Sequence, residues 1–172
     1  MAESLKPMRV LVMGVGNTLL QDDGIGVHVA EFLRAGQSAD PASFDPPLDI
    51  IDGGTIGLSL LPDIEDAEAV IVVDASEIGG RPGAMRVFRD REIDLQISGK
   101  RRTVHEVALA DLFSAAAIRG RSPARRALVA IQPASTELGL EPTTDVRAAI
   151  PGACAAIRAL ARQWREEATG GA

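Results

Sequence analysis

The sequence has few of the residues that build disulfide-rich, nucleic-acid-binding or membrane-spanning proteins. A single cysteine, Cys154, occurs among 172 residues, which excludes a disulfide framework and a thiolate-based structural zinc site. Tyrosine is absent, aromatic residues make up 3%, and the formal net charge is −6. Base stacking and a basic phosphate-binding surface are therefore not available. No apolar run approaches the ~18 residues that cross a bilayer. We expect no nucleic-acid partner and no membrane insertion.

The N-terminal residues also lack the layout of a secretion signal, because no apolar stretch follows Met1. Together with the single cysteine, this predicts a cytoplasmic protein.

What the sequence does contain is a series of short aliphatic runs that alternate with segments of helical periodicity. Hydrophobic residues make up 46% of the chain, enough for one well-buried core. The predicted strands are 10–15, 48–51, 69–74, 84–88 and 126–131. The predicted helices are 22–34, 57–64, 105–118 and a last one from 143 or 144, which Pro151-Gly152 should kink or reset. We expect residues 1–7 and 167–172 to fray.

This alternation predicts right-handed crossovers and a single three-layer αβα domain over residues 1–172. Its sheet should be twisted, mostly parallel and about five strands wide. In such sheets, ligands bind outside the carboxyl ends of the strands. That rule selects Asp22 and Asp23 after the first strand, Asp74 at the end of the third, and His105 at the start of a helix.

Two carboxylates and one imidazole are ligands that suit a divalent ion such as Ni, Zn, Mn or Fe. Three ligands would leave positions open for water or substrate. Each residue also has an ordinary structural interpretation: Asp22 or Asp23 as a helix cap or first-turn acid, Asp74 as an acceptor of loop hydrogen bonds, and His105 as a residue at a helix start. The residues are far apart in sequence, so the prediction of a site depends on the fold joining them.

The first loop contains Gly14-Val-Gly16, which invites comparison with a dinucleotide-binding fingerprint. Leu19 stands where that fingerprint has its third glycine, and two acids follow where a pyrophosphate would bind. We therefore expect these glycines to permit a tight turn and a close backbone approach instead.

The same loop, GVGNTLLQDDGIGV at residues 14–27, resembles the opening signature of the [NiFe]-hydrogenase maturation endopeptidases. These proteases trim the C-terminus of the hydrogenase large subunit. The runs DGGTIG at 52–57, VDA at 73–75 and HE at 105–106 follow in the family's order. The resemblance covers about residues 8–160, and it implies that Asp23, Asp74 and His105 are the metal-contacting and catalytic residues.

The resemblance also implies a function and a partner. The chain would remove the C-terminal extension of the nickel-loaded large-subunit precursor, cutting after a basic residue near the precursor's metal-binding cysteines. Nickel would be supplied by the precursor and bound transiently, and another divalent ion could substitute in isolation. We expect a monomer. Two alternatives stay open: a nickel-sensing or metallochaperone domain without hydrolysis, and a zinc-type aminopeptidase-like hydrolase.

Four other features have mainly structural interpretations. We expect His28 at the edge of a helix stripe and Cys154 as a small core residue. Thr55 can line the cleft floor or shape a turn. Residues 100–102, Lys-Arg-Arg, form a solvated loop or contact a substrate carboxylate.

Overall fold

A five-stranded sheet forms the centre of the structure, a computed structural model that describes residues 7–98 and 104–170. Its order is β2-β1-β3-β5-β4. The first four strands in this order are parallel, and β4 is antiparallel to β5. This confirms the predicted mostly parallel sheet of about five strands. The strands are β1 Val10–Val15, β2 Asp49–Gly54, β3 Ala69–Ala75, β4 Met85–Arg89 and β5 Arg125–Ile131.

Helices cover both faces of this sheet. They are α1 Ile25–Ala39, α2 Leu61–Asp66, α3 Arg91–Ile97, α4 Val104–Ile118, α5 Thr144–Arg147 and α6 Ile150–Gly170. Short 3₁₀ segments occur at Gln21–Gly24, Pro41–Phe44 and Leu58–Leu60. None of the helices in the described part of the chain combines the length and apolarity needed to cross a membrane.

Several helix limits differ from the sequence prediction. The predicted helix 22–34 is α1 at Ile25–Ala39, because residues 21–24 form a 3₁₀ turn, and the predicted helix 57–64 is α2 at Leu61–Asp66. Helix α3 was not predicted. The last helix is divided, and its second part, α6, begins just before Pro151, which is tolerated in a first helical turn. Helix α6 runs to Gly170, and Glu167 near its end pairs with Arg125. Residues 1–6 and 171–172 lie outside the described residues.

Side chains along β3 alternate between two hydrophobic cores, one on each face of the sheet. Ile71 and Val73 pack in the cluster that includes α1 and α6, whereas Val70 and Val72 pack in the cluster that includes α2, α3 and α4. Side chains of a strand alternate between faces, so Asp74 continues the row that faces α4. Helix α4 carries His105 in its first turn.

Two glycines bring the first loop close to the ends of β1 and β3. A Cβ at Gly26 would lie 2.1 Å from the carbonyl oxygen of Val73. The start of α1 can therefore rest directly on the strand ends. At Gly16, φ is +132° and a Cβ would lie 1.8 Å from the carbonyl oxygen of Asp23. The turn around Asp23 thus depends on the absence of a side chain at Gly16.

We expect Gly16→Ala to destabilise the fold by more than about 3 kcal/mol, because the new Cβ combines a backbone clash with an unfavourable φ. The matched control is Gly120→Ala, where φ is +68° and no atom lies within 4 Å of the added Cβ. That variant should lose only about 1–2 kcal/mol, from the backbone conformation. Urea denaturation of both proteins measures the difference, and equal losses would contradict the close approach at Gly16.

Candidate functional site

The fold brings Asp23, Asp74 and His105 together at the carboxyl edge of the sheet. Asp23 lies in the 3₁₀ turn between β1 and α1, Asp74 lies near the end of β3, and His105 lies in the first turn of α4. The His105 ring occupies the space between the two carboxylates. Its Nδ1 atom is 3.3 Å from Asp74 Oδ1, and its Nε2 atom is 3.5 Å from Asp23 Oδ2. The structure therefore joins the three residues that the sequence rule selected separately.

The two carboxylates differ in their access to solvent. The side chain of Asp74 is 4% exposed, whereas that of Asp23 is 21% exposed. Burial raises the pKa of Asp74 to about 6. The hydrogen bond with Asp74 raises the pKa of His105 above its ordinary value, because a carboxylate stabilises the protonated ring. Asp74 and His105 thus form the buried side of the site, and Asp23 forms its open side.

Backbone groups of the first loop orient the Asp23 carboxylate. The N–H of Asn17 donates a hydrogen bond of 2.9 Å to Asp23 Oδ2. The side chain of Asn17 in turn accepts a hydrogen bond from the N–H of Leu19 at 3.0 Å. The N-cap position of α1 is occupied by Gly24, so the interpretation of Asp23 as a helix cap is wrong. Its side chain is turned back towards the loop and the His105 ring.

Asp22, next to Asp23, has a different role from the helix cap that the sequence suggested. Its buried carboxylate accepts hydrogen bonds from the N–H groups of Ala134, Ser135 and Thr143 and from the hydroxyl of Thr143, at 2.6–3.0 Å. Burial acts to raise the pKa of Asp22, but these hydrogen bonds outweigh burial and lower the pKa. Asp22 therefore holds the segment 133–143, which connects β5 to α5, against the first loop.

Gln132, which was not among the residues predicted from the sequence, organises a second loop at this edge. Its side-chain oxygen accepts hydrogen bonds from the N–H groups of Ile78 at 2.9 Å and Gly79 at 3.1 Å. Its amide nitrogen donates to Glu77 at 2.9 Å. A polar residue directly after the buried strand β5 was the available signal. It fixes the loop that follows Asp74.

The donor set of the site suits a divalent ion, but the side chains are not yet arranged around one position. Residues 7–98 and 104–170 contain no group of three His, Cys, Asp or Glu side chains placed to hold a metal ion. The reason is visible at His105, whose two ring nitrogens point to different carboxylates. A metal that met both carboxylates and the ring would have to displace one of these two contacts. The residue types of the site therefore suit a divalent ion, but the side chains would have to rearrange in order to bind one together.

The remaining residues singled out in the sequence lie outside this cluster. Cys154 is buried in the core, and its Sγ lies 3.8 Å from the carbonyl oxygen of Val29. Burial raises the pKa of its thiol to about 11, so Cys154 is not a reactive thiol. On α1, the Nδ1 atom of His28 lies 3.8 Å from Oε2 of Glu31. Thr55 is exposed in the turn after β2. Residues 100–102 lie outside the described residues.

Comparisons with known proteins agree on one family. A family model described as hydrogenase maturation protease matches residues 27–160. The hydrogenase expression/formation protein HupD of Rhodobacter capsulatus is 37% identical over 174 residues, covering 98% of this chain and 79% of that protein. The hydrogenase 2 maturation protease of Escherichia coli is 36% identical and covers 88% of this chain and 92% of its own. The solved structure of the hydrogenase maturating endopeptidase HybD from E. coli superposes with a TM-score of 0.79 at 34% identity, covering 91% of this chain and 93% of that one.

Proposed function

The chain belongs to the hydrogenase maturation protease family, and from that membership we propose that it removes the C-terminal extension of a nickel-loaded [NiFe]-hydrogenase large-subunit precursor. Its role as an endopeptidase of hydrogenase maturation follows from the family and from the HybD-type fold. The finer points, namely the nickel, the C-terminal tail and the residues that act, are the proposal. The direct test is incubation of the purified chain with a nickel-loaded precursor, followed by a search for the released tail.

The observation that carries the proposal is the position of His105 between Asp23 and Asp74 at the open edge of the sheet. Asp74 holds the ring through Nδ1 from the buried side. Asp23 lies on the exposed side, fixed by the N–H of Asn17. A substrate reaching this edge would therefore meet Asp23 and the Nε2 side of His105 first.

We propose that the precursor's nickel is the species these residues contact. The longer of the two His105 contacts, at 3.5 Å to Asp23, is also the more exposed, so it is the contact that an arriving ion would replace. Asp74 would then keep the ring in place, and its participation as a third ligand stays a prediction. A nickel ion bound here would act as a Lewis acid towards the scissile carbonyl or an attacking water.

We expect the isolated protein to be nearly metal-free and to leave casein and short unrelated peptides intact. The proposed ligands include no thiolate that would retain a soft or borderline metal. In addition, the Asp23 carboxylate is already in contact with the His105 ring. Elemental analysis of the purified protein and a peptidase assay check this. Stoichiometric bound zinc with general peptidase activity would instead support the zinc-type hydrolase.

The metallochaperone alternative differs from the proposal in one measurable way. A protein that only senses or delivers nickel would bind the precursor and leave its mass unchanged. The family membership favours cleavage, because the relatives are named as maturation proteases and a maturating endopeptidase. The cytoplasmic location and the monomeric state remain predictions of the sequence.

A further inference from the structure

Two segments beside the site are joined along their backbones. Leu20 and Gly139 form an isolated parallel β-bridge. The N–H of Gln21 donates to the carbonyl of Gly139 at 2.8 Å, and the N–H of Gly139 donates to the carbonyl of Leu19 at 3.0 Å. The four hydrogen bonds to the Asp22 carboxylate add to this attachment. Segment 133–143 is thus a fixed part of the site's rim.

Three leucines on either side of this bridge point into solvent. Leu19 precedes the bridged Leu20, and Leu138 and Leu140 flank the bridged Gly139. Their exposed fractions are 57%, 85% and 67%. Single exposed leucines are common on protein surfaces. Here three exposed leucines lie on one short, hydrogen-bonded backbone pair, and grouped exposed apolar residues are typical of binding sites.

This leucine surface (Leu19, Leu138 and Leu140) is linked to the site through the hydrogen bonds of the first loop. Asn17 accepts a hydrogen bond from the N–H of Leu19 through its side chain and donates its own N–H to Asp23. Leu19 is therefore linked to Asp23 through a single residue, Asn17. Because the chain is an endopeptidase, the natural occupant of a surface adjoining its site is its protein substrate.

The charges around the surface restrict the kind of segment that it can bind. Residues 16–24 and 133–143 contain no lysine and no arginine. Glu141 is paired with Arg147, whereas Glu137, next to Leu138, has no ion-pair partner in the described ranges 7–98 and 104–170. An acidic segment would be repelled here, and an apolar segment with basic or neutral neighbours would be accepted.

We propose that Leu19, Leu138 and Leu140 form a docking surface for an apolar, non-acidic segment of the precursor next to its scissile bond. The proposal rests on the proposed function for the identity of the occupant. Asp22 fixes this surface relative to Asp23, so that docking and the position of the cleaved bond are coupled through the backbone of the first loop.

The test is the double variant Leu138→Ser/Leu140→Ser, measured by fluorescence anisotropy with labelled nickel-loaded precursor. We expect about tenfold weaker binding, because apolar area buried in the complex is lost. The control is Ile118→Ser, which is 87% exposed at the far end of α4, about 20 Å from His105 along the helix. It should bind like the wild type.

The outcomes separate this inference from the proposed function. If wild-type protein cuts the precursor and the double variant binds it with unchanged affinity, the docking surface is wrong and the function stands. If wild-type protein binds without cutting and the double variant binds about tenfold more weakly, the function is wrong and the docking surface stands. If wild-type protein neither binds nor cuts the precursor, both are overturned.

Discussion

Replacing Asp74 by Asn, or His105 by Ala, should give a folded protein that no longer processes its precursor. Asn fills the same buried space as Asp, so Asp74→Asn keeps the packing between β3 and α4. It removes the negative charge that faces His105 Nδ1 at 3.3 Å. In a well-studied case, replacing an Asp that orients a catalytic imidazole by Asn lowers kcat about 10⁴-fold. We expect a loss of at least about a thousandfold here.

The measurement is the rate of tail release from the nickel-loaded precursor, with circular dichroism melting as the check on folding. The matched control is Asp111→Asn, which removes an exposed carboxylate from the same helix as His105. It should process at the wild-type rate. A wild-type rate for Asp74→Asn would show that the buried carboxylate has no part in the reaction.

The second large effect concerns the metal state of the substrate. We expect the protein to cut the nickel-loaded precursor and to leave the nickel-free precursor intact. The chain offers two carboxylates and an imidazole, and within residues 7–98 and 104–170 they are not arranged as a finished metal site. A precursor that brings its own nickel would supply the metal ion and would hold its own tail against Asp23.

A gel-shift assay on the two precursor forms, incubated side by side with the same enzyme, measures this discrimination. Adding nickel to the unloaded precursor after a chelation step serves as the control for damage during metal removal. Equal cleavage of both forms would defeat the idea that the substrate supplies the metal, even if Asp23, Asp74 and His105 proved essential.

The architecture was predictable because the three central strands, β1, β3 and β5, contain aliphatic runs. The run at 69–74 became β3, buried along its whole length, and the run at 10–15 became β1 with the predicted limits. Strands buried on both faces need such runs, and glycines mark the ends of β1 and β2. The clustering of Asp23, Asp74 and His105 was predictable for the same reason, since parallel strands deliver their ends to one edge.

Long-range polar contacts were not predictable in this way. Asp22 binds partners 112 to 121 positions later in the chain, and no local pattern records such a pairing. Helix α3 has only Ile93 and Ile97 as fully buried anchors, and its ion pair between Asp94 and Arg126 of β5 depends on the finished fold. Local periodicity is too weak a signal for so short a helix.

The most direct test of the proposed function compares wild-type protein with Asp23→Asn on the same nickel-loaded precursor, by intact-mass spectrometry over one time course. Asp23 is the site's exposed carboxylate, so the change leaves the buried pair of Asp74 and His105 in place. We expect the wild type to convert the precursor to a shorter product and a C-terminal fragment, while folded Asp23→Asn leaves its mass unchanged. Conversion at the same rate by both proteins, or by neither, would contradict this expectation.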